Sequence, residues 1–250
     1  MTIEACAALV EKGDPDRFLA TMAAPPAARG KLFPLYAFNL EVARVPWVTE
    51  QPLIAEMRLQ FWRDVLEAQA PPAHEVAGPL HRVIRETRMD IKVLQRMIDA
   101  RSWDVLRDPH RSQAALDVYI EDTAAGLMWA AGQALGAPAQ AEPALRAVGW
   151  AAGLAVYFHA VPELKAKGRQ PLVQESPEAI RALAETGLAR LKLARAQRKS
   201  LGPAAFSAWM AGPILAQVAS APERVLNGQL GMSEFGRRGR LLWAVTTGRF

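Results

Sequence analysis

One cysteine, Cys6, stands in 250 residues. That excludes a disulfide framework and a Cys-rich metal site, and it suits a reducing compartment. Runs of alternating β-branched residues are missing, so no strand is expected. There is no Gly-rich phosphate loop and no Ser or Thr nucleophile elbow. The N-terminal stretch MTIEACAALVEKGDPD carries Glu4 ahead of any basic residue and has no long apolar centre; it does not read as a signal peptide. Two uncharged stretches, Thr123–Ala141 and Leu201–Pro222, approach transmembrane length. Both are rich in Ala and Gly and broken by Gln, Ser or Pro, and so read as buried core helices. No repeat of fixed period and no low-complexity linker is present.

What is there is apolar and mildly basic: 51% hydrophobic residues, a formal charge of +5 and a pI near 9.6. A large core follows, and attraction to anionic partners is permitted but not specified. Helix signals recur along the whole chain. Thr2–Lys12 closes at Gly13, and Asp14 and Asp16 stand where N-caps belong before Arg17–Ala24. The centre is a helix pair, 29–45 and 52–68, with Pro46 and Pro52 bracketing the connection. Leu32, Leu35, Tyr36, Phe38, Asn39 and Val42 repeat at three- and four-residue steps, as do Leu53, Met57, Phe61 and Val65. Helices are also expected at His74–Arg88, Ile91–Arg101, Ser112–Leu135 (ending at Gly136), Pro143–Ala160, Glu178–Ser200, Pro203–Ser220 and Gly239–Phe250, with Lys165–Pro177 as loop. The chain is predicted to be one all-α domain, 1–250.

Few side chains advertise chemistry. Asp117 and Glu121 sit four residues apart with Asp122 adjacent, which reads as the exposed acidic end of a helix. His159 lies in an apolar helix with no second ligand at metal spacing. His74, His81 and His110 fall in polar segments and read as surface. The basic residues Arg181, Arg190, Lys192, Arg195, Arg198 and Lys199, and the ending Arg237, Arg238, Arg240 with Trp243, form either a solvated face or a contact with an anionic membrane. Nothing interleaves aromatics with these cations in the manner of a nucleic-acid reader.

Several runs, taken in order, resemble the squalene/phytoene synthase family of head-to-head prenyltransferases. They are Phe18 with Arg29 downstream, Leu35-Tyr36-Ala37-Phe38, Phe61-Trp62-Arg63-Asp64, Gly126-Leu127-Met128 and Gly168-Arg169. The resemblance covers most of the chain and implies an isoprenoid synthase-like helical bundle around a central cavity. It also says where Mg²⁺ would be held, since a diphosphate leaving group must be clamped by hard-oxygen ligands. By alignment the first aspartate motif falls on Ala43, Arg44 and Trp47, and the second on Ala160 and Leu164. Glu41 and Glu163 are neighbours out of register, and Pro162 is expected to disturb the helix that carries Glu163. No metal is therefore expected, and Mg²⁺ only if the chain is catalytic. The resemblance further suggests a ligand pocket built from Arg29, Tyr36, Phe38, Asn39, Trp62, Tyr157, Phe158 and His159.

The segments Ala37–Ala43 and Ile54–Trp62 look closer to a branch of the family that lacks the aspartate motifs and includes an assembly factor of mitochondrial complex I. Three readings stay open. The first is a non-catalytic protein that helps assemble a respiratory membrane complex, cytoplasmic or peripheral on the inner membrane. The second is an active prenyltransferase using Glu41 and Glu163. The third is a carrier of isoprenoid or other lipid. Nucleic acid is not an expected partner.

Overall fold

The computed structural model describes residues 2–247, apart from the side chain of Lys199. Lys199 of the expected basic face and residues 248–250 of the expected last helix thus lie outside the described residues. Fourteen α-helices follow one another among those described: α1 (Ile3–Gly13), α2 (Pro15–Ala23), α3 (Pro26–Val48), α4 (Pro52–Glu67), α5 (Ala77–Thr87), α6 (Ile91–Leu106), α7 (Gln113–Ile120), α8 (Gly126–Ala134), α9 (Glu142–Ala166), α10 (Pro177–Ala194), α11 (Arg198–Leu201), α12 (Ala211–Ser220), α13 (Glu223–Leu226) and α14 (Glu234–Thr247). One π turn, Glu121–Ala125, joins α7 to α8, and 3₁₀ turns occupy Ala139–Ala141, Arg195–Gln197 and Gly202–Ala208. The all-α expectation holds.

Local chemistry sets most helix ends. Asp14, Asp90, Ser112 and Ser176 each accept a backbone N–H of the helix they precede. Proline opens α2, α3, α4, α9 and α10, where the missing N–H costs nothing. Gly136 and Gly168, at φ +81° and +75°, turn the chain after α8 and α9, a conformation that favours glycine.

Several boundaries differ from the sequence expectation: α10 ends at Ala194 rather than Ser200, α12 begins at Ala211 rather than Pro203, α14 begins at Glu234 rather than Gly239, and the helix expected over Ser112–Leu135 is divided by the π turn. Two further differences fall at proline. Pro46 does not end α3, which runs on to Val48, and Pro162 does not break α9, which runs on to Ala166. An internal proline removes one hydrogen bond at a cost of about 3 kcal/mol. Burial of Val42, Val45 and Pro46 on α3, and of Phe158 and Val161 on α9, offsets it.

The two central helices are α3 and α9. The first packs against α1, α4, α6 and α8, and the second against α8, α10, α12 and the π turn. One continuous core joins Leu35, Phe38, Leu94, Trp150, Leu154 and Phe158. A small satellite cluster of Ala20, Trp209 and Ala244 fixes α14 to the bundle. Neither uncharged stretch singled out above forms a single long helix; 123–141 and 201–222 are each divided among short elements. The segment Ala139–Ala166 is long and apolar enough to cross a membrane by length and composition, yet 56% of that window is buried inside the bundle.

Candidate functional site

A cavity of about 320 Å³ lies between α3 and α9, closed at its sides by the α1–α2 junction, α6, the π turn and the loop after α9. Helical phase decides what reaches it. Asn39, Ala43 and Trp47 are four apart on α3 and share one face, as do Val156, Ala160 and Leu164 on α9. Positions 43 and 47 thus line the same cavity as positions 160 and 164. Arg44 does not; it lines a separate hollow with Glu41, Trp62 and His74 and pairs with Glu41 at 2.5 Å.

Close approach of backbones shapes the floor. A Cβ on Gly149 would stand 2.8 Å from Ala125 Cα, and one on Gly153 would stand 2.2 Å from Ala124 Cβ. Glycine at both positions lets α9 sit directly on the π turn, which presents Thr123 and Ala124 to the cavity.

The polar wall is built on Asp104, 8% exposed. Its carboxylate accepts from Tyr119 Oη at 2.8 Å and from Arg101 Nη1 at 3.0 Å, and Arg169 Nη1 lies 3.8 Å away. Arg169 also donates through Nη2 to the Asp104 carbonyl at 2.8 Å. Burial alone pulls the Arg101 guanidinium down, but Tyr119 and Asp104 more than offset this. Burial pushes the Tyr119 hydroxyl well above its usual range. At the mouth, Arg169 and Lys167 lie over the Trp47 ring at 4.6 and 4.3 Å.

Beside this wall sits a residue the sequence reading placed on the surface. His110 is 7% exposed and stacks on Trp103 with ring centres 3.8 Å apart. The Tyr157 hydroxyl donates to the Pro171 carbonyl at 2.7 Å, so its oxygen accepts from His110 Nε2 at 3.2 Å. Burial holds His110 down to about 4, only partly opposed by Asp104. His81 is likewise buried, bonded to the Ala68 carbonyl, while His74 is half-buried with its edge on Trp62. A polar flanking sequence made all three look solvated; aromatic contacts cover His74 and His110, and His81 lies on the buried side of α5.

The expected pocket residues separate into groups. Asn39 and Tyr157 line the cavity. Phe38 and Phe158, their sequence neighbours, turn into the closed core, and Tyr36 is buried under Arg17. Trp62 lies on the other hollow. Arg29 donates to the Ala24 carbonyl at the end of α2, and His159 is exposed on the outer side of α9. Glu41 and Glu163 do not meet: Glu163 is exposed and pairs with Lys167 at 2.6 Å. Asp117 and Glu121 are not a solvated acidic end either. Glu121 accepts from Arg146 at 3.2 Å and lies 3.9 Å from Arg190, tying the π turn to α9 and α10. The basic face is partly turned inward, with Arg190 over Trp150 at 4.0 Å and Arg181 on the Ala219 carbonyl.

A diphosphate-binding Mg²⁺ needs carboxylates free to face each other. The cavity carboxylates are Asp14, Asp104 and Asp108. Asp14 caps α2 and pairs with Arg17 at 2.9 Å, and Asp104 is held as described. Among the described residues no three His, Cys, Asp or Glu side chains come together as a metal site. These donors do not fit an Mg²⁺ cage. Four cavity arginines, Arg17, Arg101, Arg107 and Arg169, outnumber the three carboxylates, so the polar side is suited to an anionic group.

Comparison with known proteins agrees with the bundle. Bovine NADH dehydrogenase (ubiquinone) complex I, assembly factor 6, is 29% identical over 161 residues, covering 63% of this chain and 48% of that protein. Its homolog from Drosophila melanogaster is 30% identical over 170 residues, covering 63% and 50%. The chain therefore spans about half the length of these relatives. Among solved structures, a dehydrosqualene synthase in complex with ligand superposes with a TM-score of 0.74 at 14% identity, over 98% of this chain and 95% of that one. The squalene synthase HpnC from Alicyclobacillus acidocaldarius gives 0.61 at 15%, over 99% and 95%. These two establish the shared fold. The squalene/phytoene synthase family model matches residues 10–179, and with well over half of the sequence covered, the chain belongs to the squalene/phytoene synthase family.

Proposed function

We propose that this protein does not join prenyl diphosphates and instead serves as a binding protein in the assembly of a respiratory membrane complex. One observation carries the first half. Ala43 and Trp47 on α3, and Ala160 and Leu164 on α9, line a single cavity. Carboxylates are needed at facing positions of this kind to bridge Mg²⁺ to a diphosphate. Two alanines, a leucine and a tryptophan supply no hard oxygen. The remaining cavity aspartates that are deep in the wall are bonded to arginine. Similarity to complex I assembly factor 6 supports the second half. In this reading the chain works in the cytoplasm or peripherally on the inner membrane, with subunits of the complex as partners.

A second reading has its own support: an apolar floor of Leu40, Ile120, Ala124 and Leu127 under an arginine-bearing rim matches a lipid with an anionic head. Isoprenoid or other lipid would then be cargo rather than substrate.

The test is a melting curve with Mg²⁺ and inorganic diphosphate. A ligand specific to the folded state raises the melting temperature; no rise beyond that given by diphosphate alone is expected, and a saturable rise that requires Mg²⁺ would overturn the loss of the cage. Affinity purification from membranes tests the assembly role: respiratory-complex subunits should be recovered, and their absence would refute it. Mass spectrometry of the purified protein addresses cargo.

A further inference from the structure

The last described helix presents two different faces. On α14, Arg237, Arg240 and Ala244 are spaced three and four apart and turn inward. Arg237 pairs with Asp16, Arg240 Nε donates to the Trp209 carbonyl at 3.2 Å, and Ala244 is buried in the cluster with Ala20 and Trp209. The opposite face carries Phe235, Arg238 and Leu242, again at steps of three and four. Phe235 is 90% exposed, and Leu242 is 67% exposed. Trp243, at 38%, sits at the edge of this face beneath the Arg240 guanidinium, 4.3 Å from its ring centre. An outward Phe and Leu hold apolar surface in water that burial would remove. Here they are flanked by Arg238 on one side and the Arg240–Trp243 stack on the other. The one acidic residue of the helix, Glu234, is engaged by Arg237 at 2.9 Å.

We infer that the outward face of α14 is a docking surface for an anionic bilayer: Phe235 and Leu242 enter the headgroup–acyl boundary, Trp243 lies at the interface, and Arg238 meets the phosphates. Charge complementarity selects this occupant, because an apolar stripe bordered by Arg238, with the Arg240–Trp243 stack at its other edge and no acidic residue on it, is what anionic lipid attracts. The inward arginines act differently. Arg237 fastens the helix to α2, and Arg240 ties it to the 3₁₀ segment that precedes α12. Among the described cations of α14, Arg238 is the one turned outward to serve the membrane. The inference rests on the peripheral position proposed above and is independent of whether the cavity is catalytic.

The full chain is sedimented with vesicles of phosphatidylcholine alone and of equal parts phosphatidylcholine and phosphatidylglycerol. Binding is expected to the anionic vesicles only and to weaken at high salt. Phe235→Ser with Leu242→Ser should lower it about tenfold, and Arg238→Glu should lower it in low salt, both with the melting temperature unchanged because these side chains are exposed. A double variant that binds as well as the parent overturns this face as the contact while leaving peripheral attachment intact. A parent that ignores anionic vesicles overturns both. Self-association of the parent, lost in the double variant without any vesicle binding, overturns the bilayer and assigns the face to a second copy of the chain.

Discussion

Arg169 closes on Asp104 across the cavity mouth, one guanidinium nitrogen donating to the backbone carbonyl at 2.8 Å and the other lying 3.8 Å from the carboxylate. This joins the loop after α9 to the end of α6, while the same guanidinium lies over Trp47 of α3. Three elements that bound the cavity thus share one cation. The arrangement makes Asp104 a buried counter-ion for Arg101 and Arg169. Replacing it with Asn keeps the shape and leaves two guanidinium groups without their charge partner. Asp104→Asn should cost about 3 kcal/mol in chemical denaturation. A loss below about 1 kcal/mol would mean that the cluster is solvated and carries little.

His110 gives stability a pH dependence of predictable sign. Its folded value is about 4, against an ordinary value near 6.5 in the unfolded chain. Between these pH values the unfolded chain takes up a proton that the folded chain refuses. The contribution is therefore complete above about pH 6.5, declines as pH falls, and stops declining near pH 4. At about 1.4 kcal/mol per pH unit the whole effect is roughly 3 kcal/mol at most. The difference between the parent and His110→Gln, measured by denaturant titration from neutral to acid pH, should shrink across this window. A constant difference would place His110 in contact with water.

Gly153 allows α9 to rest on the π turn. An added Cβ meets Ala124 Cβ at 2.2 Å, so helix and turn must separate. Gly153→Ala should destabilise by about 1–3 kcal/mol, and adding Ala124→Gly should recover part of the loss, since the two positions are in direct contact. Additive losses in the double variant would show that the contact is not what forces glycine here.

The helices were largely legible in the sequence because their end signals are local. Asp14, Ser112, Pro52 and Gly136 act within one turn of themselves. The same local rules failed at Pro46 and Pro162, where burial of the surrounding helix outweighs one lost hydrogen bond. The site was legible only in part. Ala43 and Trp47, with Ala160 and Leu164, were reached through the family resemblance, and their four-residue steps keep each pair on one side of its helix, whereas Arg44, picked out with them, turns away. Phe38 and Phe158 were expected in the pocket and lie outside it, since one residue's step along a helix turns a side chain by about 100° and carries it from cavity to core. The Asp104 cluster was invisible for another reason: Arg101, Tyr119 and Arg169 reach it over separations of up to 65 residues, and no local pattern marks such a meeting. His110 was misread because Asp108-Pro109-His110-Arg111 is polar, whereas its burial comes from Trp103 and Tyr157.

The most direct measurement is a product assay. The purified chain is incubated with Mg²⁺ and radiolabelled farnesyl or geranylgeranyl diphosphate, with and without NADPH, beside an active synthase. A cavity faced by Ala43, Trp47, Ala160 and Leu164 predicts no C30 or C40 hydrocarbon while the control enzyme produces it. An Mg²⁺-dependent product, abolished by Glu41→Ala or Glu163→Ala, would contradict the loss of prenyl transfer and assign the metal to carboxylates outside this cavity.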